Sequence, residues 1–468
     1  MPRDVRRMSR GTGESAPDNG KVAGVLTEPA NAYARRLNTW DAAMIVIGGV
    51  IGAGIFLTPS TVARHTGSGV ELLILWAIGG GLTLAGVLCY AELGARRPQA
   101  GGIYVYLREA FGLMPAFLFG WTMALINYPG SVAAVATMFA EYLCSALGIA
   151  GPAYVKPVAV GAIVFIVGIN LFGIRAGAWL QNLFTVLKLL AIALLVISGL
   201  VLAHEHLGLA LVAAPAKPAS SWALAGALLP VLFSYGGFHY LNDLAGEVRN
   251  PQRTLPRALG MGMAGVVICY LLANYAYLAG LGHAGLAASE APAADLMRRL
   301  FGERGATVIA VGIACSTFGY CSIAIAGGAR VLQTMGADGV FFRAAGRVDA
   351  RTRAPQVALA LLGAWAVVLT LSGSFGQLLN YTTVGEWLGH VFGIGTLFWY
   401  RKHFIDEPAP YRVPFYPLLP LIFVITVFGV IVASAINAPG DAGMSLVIIA
   451  LGVPVYYAWR WLEGRRAV

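Results

Sequence analysis

Of the 468 residues, 58% are hydrophobic and only 12% are charged, and the mean hydropathy is +0.72. Such values exclude an ordinary soluble domain, in which about a quarter of residues carry charge. The net charge of +10 sits in loops and tails between apolar stretches, a placement that speaks for membrane topology and against a nucleic-acid partner.

Residues 1–36 are rich in Arg, Gly, Ser and Pro and lack the apolar core of a cleavable signal peptide. They read as a disordered cytoplasmic tail resting on anionic lipid. From residue 40 onward, apolar stretches of roughly 20 residues, enough to cross about 30 Å of hydrocarbon, recur. They lie at 40–63, 71–94, 112–145, 155–173, 178–203, 222–246, 258–282, 303–334, 355–373, 376–400, 415–437 and 443–462. The pattern predicts an all-α polytopic membrane protein with twelve transmembrane helices. Of the 32 Lys and Arg, 25 fall in or beside one alternating set of connections, six in the other and one inside a span. That asymmetry places both termini in the cytoplasm of a cell (inner) membrane. The five cysteines lie in or at the ends of spans and imply no disulfide framework.

The first span carries Gly48-Gly49-Val50-Ile51-Gly52-Ala53-Gly54 at its centre, where a helix tolerates glycine least. Unwound backbone at membrane depth survives only where it is buried in protein or lines a polar cavity. An unwound turn here would offer the free N–H groups of a half-helix N-terminus to an anion such as a carboxylate. The competing reading is close packing of a neighbouring helix on small residues.

After the second span, Glu92 can face Arg96 or Arg97 as part of an inner gate. Asn127-Tyr128-Pro129 kinks the third span, either lining a pathway or serving helix packing. Lys188 lies about ten residues, roughly 15 Å, into the fifth span and so near the midplane, too deep for its stem to reach the interface. It must face polar groups inside the bundle, as a fixed cation or a titrating amine. His204-Glu205-His206 lacks further ligands nearby and does not make a metal site.

The sixth span repeats the break with Phe233-Ser234-Tyr235-Gly236-Gly237, five spans after the first. Broken helices in corresponding positions of two five-span halves are the mark of an inverted-repeat transporter with its site at the midplane. Glu247 and the basic residues after Asn250-Pro251 read as topology plus an inner salt-bridge network. In the eighth span Ser316, Thr317, Tyr320 and Ser322 either solvate Lys188 or bond their own backbone. In the tenth, Glu386 and His390 stand one turn apart and either relay protons or pack. The chain has neither a phosphate-binding Gly-x-x-x-x-Gly-Lys-Ser/Thr motif nor a nucleophile elbow.

Taken as a set, Gly52-Ala53-Gly54-Ile55-Phe56, Tyr90-Ala91-Glu92-Leu93, Gly101-Gly102-Ile103-Tyr104, Lys188 and Phe233 to Pro251 resemble the amino acid–polyamine–organocation (APC) superfamily. Ala329-Arg330 to Gly339 and Tyr411-Arg412-Val413-Pro414 extend the match, which runs from about Leu37 to Trp461. Within it the chain looks most like bacterial relatives of the L-type amino acid transporters. The resemblance implies the leucine-transporter fold: a five-plus-five inverted repeat over residues 37–204 and 205–402, with two appended helices in 403–468. It implies that N–H groups around Gly52, Ala53 and Gly54 hold the substrate carboxylate, while carbonyls around Ile51, Phe233, Ser234 and Gly236 hold its amino group. Asn127 is counted with them. It implies that Phe233 closes over the substrate as a gate, with Glu92 and Glu247 gating the inner side. Lys188 matches the lysine that occupies the sodium position in sodium-independent members, with Ser316, Tyr320 and Ser322 as its expected neighbours. Ala53 in place of the usual Ser, and Phe238 and His239 in place of Trp and Asn, depart from the pattern. Residues 146–156 hold no cysteine, so no disulfide-linked heavy chain is expected.

These readings predict a sodium-independent secondary transporter of neutral or small L-amino acids working by alternating access, with no cofactor and no catalytic or metal residues. Exchange and proton symport both remain open. A cationic amino acid or polyamine transporter of the same fold is the nearest rival and would require acidic side chains in the pocket. A channel or a membrane-embedded enzyme is disfavoured, since neither a charged pore ring nor a catalytic cluster is apparent.

Overall fold

The computed structural model describes residues 33–149, 151–210, 221–373, 375–437 and 439–466. Among them run α1 (Thr39–Val50), α2 (Gly54–Ala63), α3 (Gly69–Arg96), α4 (Ile103–Phe111), α5 (Leu113–Thr122), α6 (Tyr128–Ala146), α7 (Val155–Leu171) and α8 (Ile174–Ala210). There follow α9 (Ser221–Ser234), α10 (Tyr240–Asp243), α11 (Pro251–Ala288), α12 (Pro292–Ala337), α13 (Gln356–Ser372), α14 (Phe375–His403), α15 (Leu418–Asn437) and α16 (Pro439–Arg466). Among the described residues, eight helices are long and apolar enough to cross a bilayer, and the bent pair α1–α2 makes a ninth span. The other three marked stretches hold α9 with α10, the 17-residue α13, and α14.

Local sequence explains the punctuation. Asn38 and Asp41 form a reciprocal capping box that starts α1. Ser68 caps α3 by accepting from the Glu71 N–H at 3.2 Å. Gly282 (φ +69) and Gly302 (φ +58) kink α11 near its end and α12 near its start.

Burial sorts the layers. The most apolar part of α12 is 72% buried and that of α3 61%, against 33% for α15 and 22% for α16. α12 and α3 therefore form the interior with α1, α6 and α11, while α8, also 33% buried, packs on it from one side and α15 and α16 flank it. Outward-facing Leu190, Ile197, Phe428 and Leu451 are exposed, as expected of surfaces solvated by lipid. Gly49 and Gly237 let the two broken segments touch backbone to backbone: Gly237 has φ +92, and a Cβ there would strike the Gly49 carbonyl.

One end of the bundle is tied together by charge. Glu92 takes Arg96 at 2.9 Å and Arg401 at 2.6 Å, and also accepts from the Val413 N–H at 2.7 Å. Arg97, the other basic partner expected for Glu92, instead pairs with Glu109 and Glu407. Arg330 and Glu247 form a fully buried pair at 2.8 Å. The last residues of the stretch read as a tail, 33–36, are seated at this same end. The N–H groups of Arg36 and Leu37 donate to the Glu247 carbonyl at 2.8 and 2.9 Å, and Tyr33 covers the Arg330 guanidinium. Residues 1–32 of that tail lie outside the described residues.

Candidate functional site

α1 stops at Val50 because Ile51 turns extended (φ −75, ψ 90), and α2 restarts three residues later at a bend of 41°. The Ile51 N–H still closes on Ile47, but the Gly52 N–H folds back to Val50. The Gly48 carbonyl thereby loses its helical donor, and Lys188 supplies one. Its Nζ donates to Gly48 O at 3.0 Å and to Ile51 O at 2.6 Å, in a fully buried setting. Ser316 Oγ donates to Gly52 O at 2.9 Å and lies 3.2 Å from Ile51 O. The break is thus held open by side chains of α8 and α12.

The second break lies opposite. α9 ends at Ser234, residues 235–239 turn, and α10 begins at Tyr240. The Tyr270 hydroxyl from α11 lies 3.0 Å from Val50 O and 3.0 Å from Ser234 O, sharing one proton between the two broken ends. Sequence reasoning missed Tyr270, because a tyrosine in an apolar span gives no signal until its carbonyl partners are known.

Between the breaks is a cavity of about 230 Å³. One wall is Gly52, Ala53 and Gly54, leading into the first turn of α2; the Gly52 N–H is spent on Val50 O, and the N–H groups of Ala53 and Gly54 have no acceptor among the described residues. The facing wall is Phe233, Ser234, Gly236 and Gly237, and Ala134, Val135 and Met138 of α6 form an apolar side. Tyr240, Tyr320, Glu386 and Trp387 close the remainder. Phe233, on this wall, is 56% exposed.

Several expected placements need correction. Ile51 does not line the cavity, and its carbonyl is already occupied by Lys188 and Ser316. Phe233 O accepts from the Gly236 N–H at 3.0 Å, so part of its capacity closes the turn. Tyr320 does not solvate Lys188; its hydroxyl meets that of Tyr240 at 3.0 Å on the cavity wall. Ser322 faces a separate small void beside Asn170 and Gln181. Thr317 bonds its own helix at Ile313. Asn127 ends the π-helical turn Met123–Asn127 and reaches Glu386 Oε2 at 2.7 Å rather than the cavity itself. Glu92 and Glu247, expected at an inner gate and not in the cavity, need no such correction: both are ion-paired at the bundle end, and neither lines this cavity.

Glu386 is the residue that sequence reasoning left undecided between relay and packing. It lines the cavity, and His390 Nε2 stands 4.0 Å from Oε1. His239 lies close by: one donor atom from each of the three residues falls within 4.8 Å of the others. The side chains of His204, Glu205 and His206 are outside those described. Asp243, also missed, accepts from the Tyr128 hydroxyl at 2.8 Å in the protein interior.

A helix N-terminus and a run of carbonyls facing each other across a small cavity suit a zwitterion. Comparison with known proteins agrees in kind: the amino acid permease family model matches residues 37–458. The chain belongs to that family. It is 33% identical over 436 residues to the b(0,+)-type amino acid transporter 1 of Mus musculus, covering 90% of this chain and 88% of the relative. It is 30% identical over 433 residues to the serine/threonine exchanger SteT of Bacillus subtilis (strain 168), covering 92% and 98%. The human cystine/glutamate transporter is 30% identical over 427 residues, covering 90% and 85%. This permease is accordingly a multi-pass membrane transporter of the APC superfamily with the leucine-transporter fold, and not an enzyme.

Proposed function

We propose that this permease exchanges L-amino acids across the cell (inner) membrane, independently of sodium, with both termini cytoplasmic and without a disulfide-linked partner. The observation that carries this reading is the single cavity bounded by both helix breaks. The α2 N-terminus at Gly52–Gly54 takes the substrate carboxylate, and the carbonyls of the Ser234–Gly237 turn take the α-amino group. Lys188 Nζ already saturates the end of α1 through two carbonyls, leaving that position no need of a metal cation. One relative, SteT, is a serine/threonine exchanger, which supports exchange.

For the side chain we propose small or neutral groups, received by Ala134, Val135 and Met138. Such apolar walls discriminate by only about 1–3 kcal/mol per methylene. A cationic substrate is the second reading, favoured by Glu386 on the cavity wall. A polyamine has no carboxylate for the α2 N-terminus and fits less well.

The test is uptake of labelled L-serine into proteoliposomes that are empty or preloaded with unlabelled L-serine, in sodium and in sodium-free potassium medium. Exchange predicts uptake only into preloaded vesicles, equal in both media. Uptake that requires sodium refutes the role given to Lys188.

A further inference from the structure

Glu386 is a carboxylate beside the cavity with no Lys or Arg partner among the described residues. Its side chain is 17% exposed, through the cavity wall it forms. Oε2 accepts from Asn127 Nδ2 at 2.7 Å, and among the described residues Oε1 has no hydrogen-bond partner, His390 Nε2 standing 4.0 Å away. Among the described residues no lysine or arginine ion-pairs with it, and Lys188 is spent on Gly48 and Ile51.

Among the described residues, the groups facing Glu386 from each packed element are neutral donors or imidazoles. They are Asn127, with Tyr128 and Ser131, from the α5–α6 segment; His239 and Tyr240 from the second break; Tyr320 from α12; and His390 on α14 itself. His239 is 1% exposed, neither ring nitrogen has a hydrogen-bond partner among the described residues, and the ring packs on Tyr240 and Tyr128. His390 Nδ1 meets the Tyr90 hydroxyl at 3.1 Å, and its ring is packed by Trp387 and Phe238. An ionised carboxylate removed from bulk water is tolerated only with a compensating positive charge.

We propose that Glu386 admits one positive charge with every substrate: the side-chain ammonium of a cationic amino acid, or a proton on Oε1 when the amino acid is neutral. This rests on the exchange reading above and names the side-chain class it serves. The loaded site then carries the same net charge with either substrate. A neutral amino acid entering brings a proton from the outer water, bound at Oε1; a cationic one leaving takes its place on a deprotonated Glu386, and the proton passes to the inner water. Exchange of neutral for cationic amino acid is electrically silent and moves one proton inward, whereas neutral-for-neutral exchange at equal pH moves no net proton.

The experiment uses the full-length protein in vesicles holding a pH dye and a voltage dye. They are preloaded with L-lysine or L-serine and supplied with labelled L-serine outside. Lysine-loaded vesicles are expected to acidify by one proton per serine taken up, without a voltage signal, and serine-loaded vesicles to exchange without acidifying. Glu386→Gln is expected to remove the acidification per serine and to weaken competition by lysine relative to serine at least tenfold. Serine–lysine exchange with a voltage signal and no acidification in the wild-type protein overturns the proposal, as does failure of lysine to exchange while serine does. Loss of the proton in His390→Gln with its retention in Glu386→Gln would place it on the imidazole and overturn the assignment. Absence of serine–serine exchange would refute the exchange reading instead, so the two failures are distinguishable.

Discussion

Replacing Lys188 by Met keeps the length and apolar stem of the side chain and removes its two donors. Gly48 O would then lack a donor, because Gly52 N–H is already turned to Val50. Leaving a buried carbonyl unsatisfied costs about 1–3 kcal/mol. Ile51 O would keep Ser316 Oγ at 3.2 Å and lose only the stronger of two bonds, about 1 kcal/mol. The sum, about 2–4 kcal/mol, acts on the geometry of the first break and leaves the remaining helix packing in place. At 1.4 kcal/mol per factor of ten, it corresponds to a roughly 30- to 700-fold fall in the population holding the substrate-binding shape. The assay is serine exchange in preloaded vesicles at several serine concentrations, with thermal unfolding of the detergent-solubilised protein as a control. The expected result is exchange reduced by more than tenfold in a protein that still unfolds cooperatively. Wild-type exchange by Lys188→Met would refute the claim that this lysine maintains the break.

Gly54→Val should abolish exchange in a folded protein, since even a Cβ there comes to 2.7 Å of Ser234 Oγ and 3.0 Å of its Cα; substrate-protection assays would show lost binding. Gly237→Ala combines a φ of +92 with a backbone clash on Gly49 and should lower the yield of folded protein, read by size-exclusion chromatography. Arg330→Met leaves Glu247 buried without its partner, a loss of about 3–5 kcal/mol that should appear as a lower melting temperature. At the surface, hydrogen bonding from Arg97 holds the Glu407 carboxyl below its usual 4.5. This pair therefore contributes stability above that pH and loses it as pH falls through the lowered value. An Arg97→Gln protein should show a shallower loss of melting temperature between pH 5 and 3, the comparison being made on about a 1 kcal/mol scale at most.

Composition alone determined that the chain lives in a membrane, because no soluble domain buries so many apolar residues with so few charges. Glycine placement at 52–54 and 236–237 marked both breaks, since glycine is the residue that frees backbone geometry, and a lysine at the midplane had to find interior partners. Which carbonyls Lys188 meets was not legible: Gly48 and Ile51 lie some 140 residues away in sequence, and only the packing of α8 on α1 brings them together. The same holds for Tyr270, which reads as one more aromatic in an apolar span until the fold places Val50 and Ser234 at its hydroxyl. Helical spacing put Ser316, Tyr320 and Ser322 on one helix, but rotation of α12 against its neighbours sends them to the break, the cavity wall and a separate void. Glu386 shows the division most plainly. Its sequence position allowed relay or packing, and the tertiary structure decided for the cavity by closing α14 against Asn127 of the π-helical turn. Periodicity records what a helix offers to each side; the side that holds the substrate is set by how the helices are assembled.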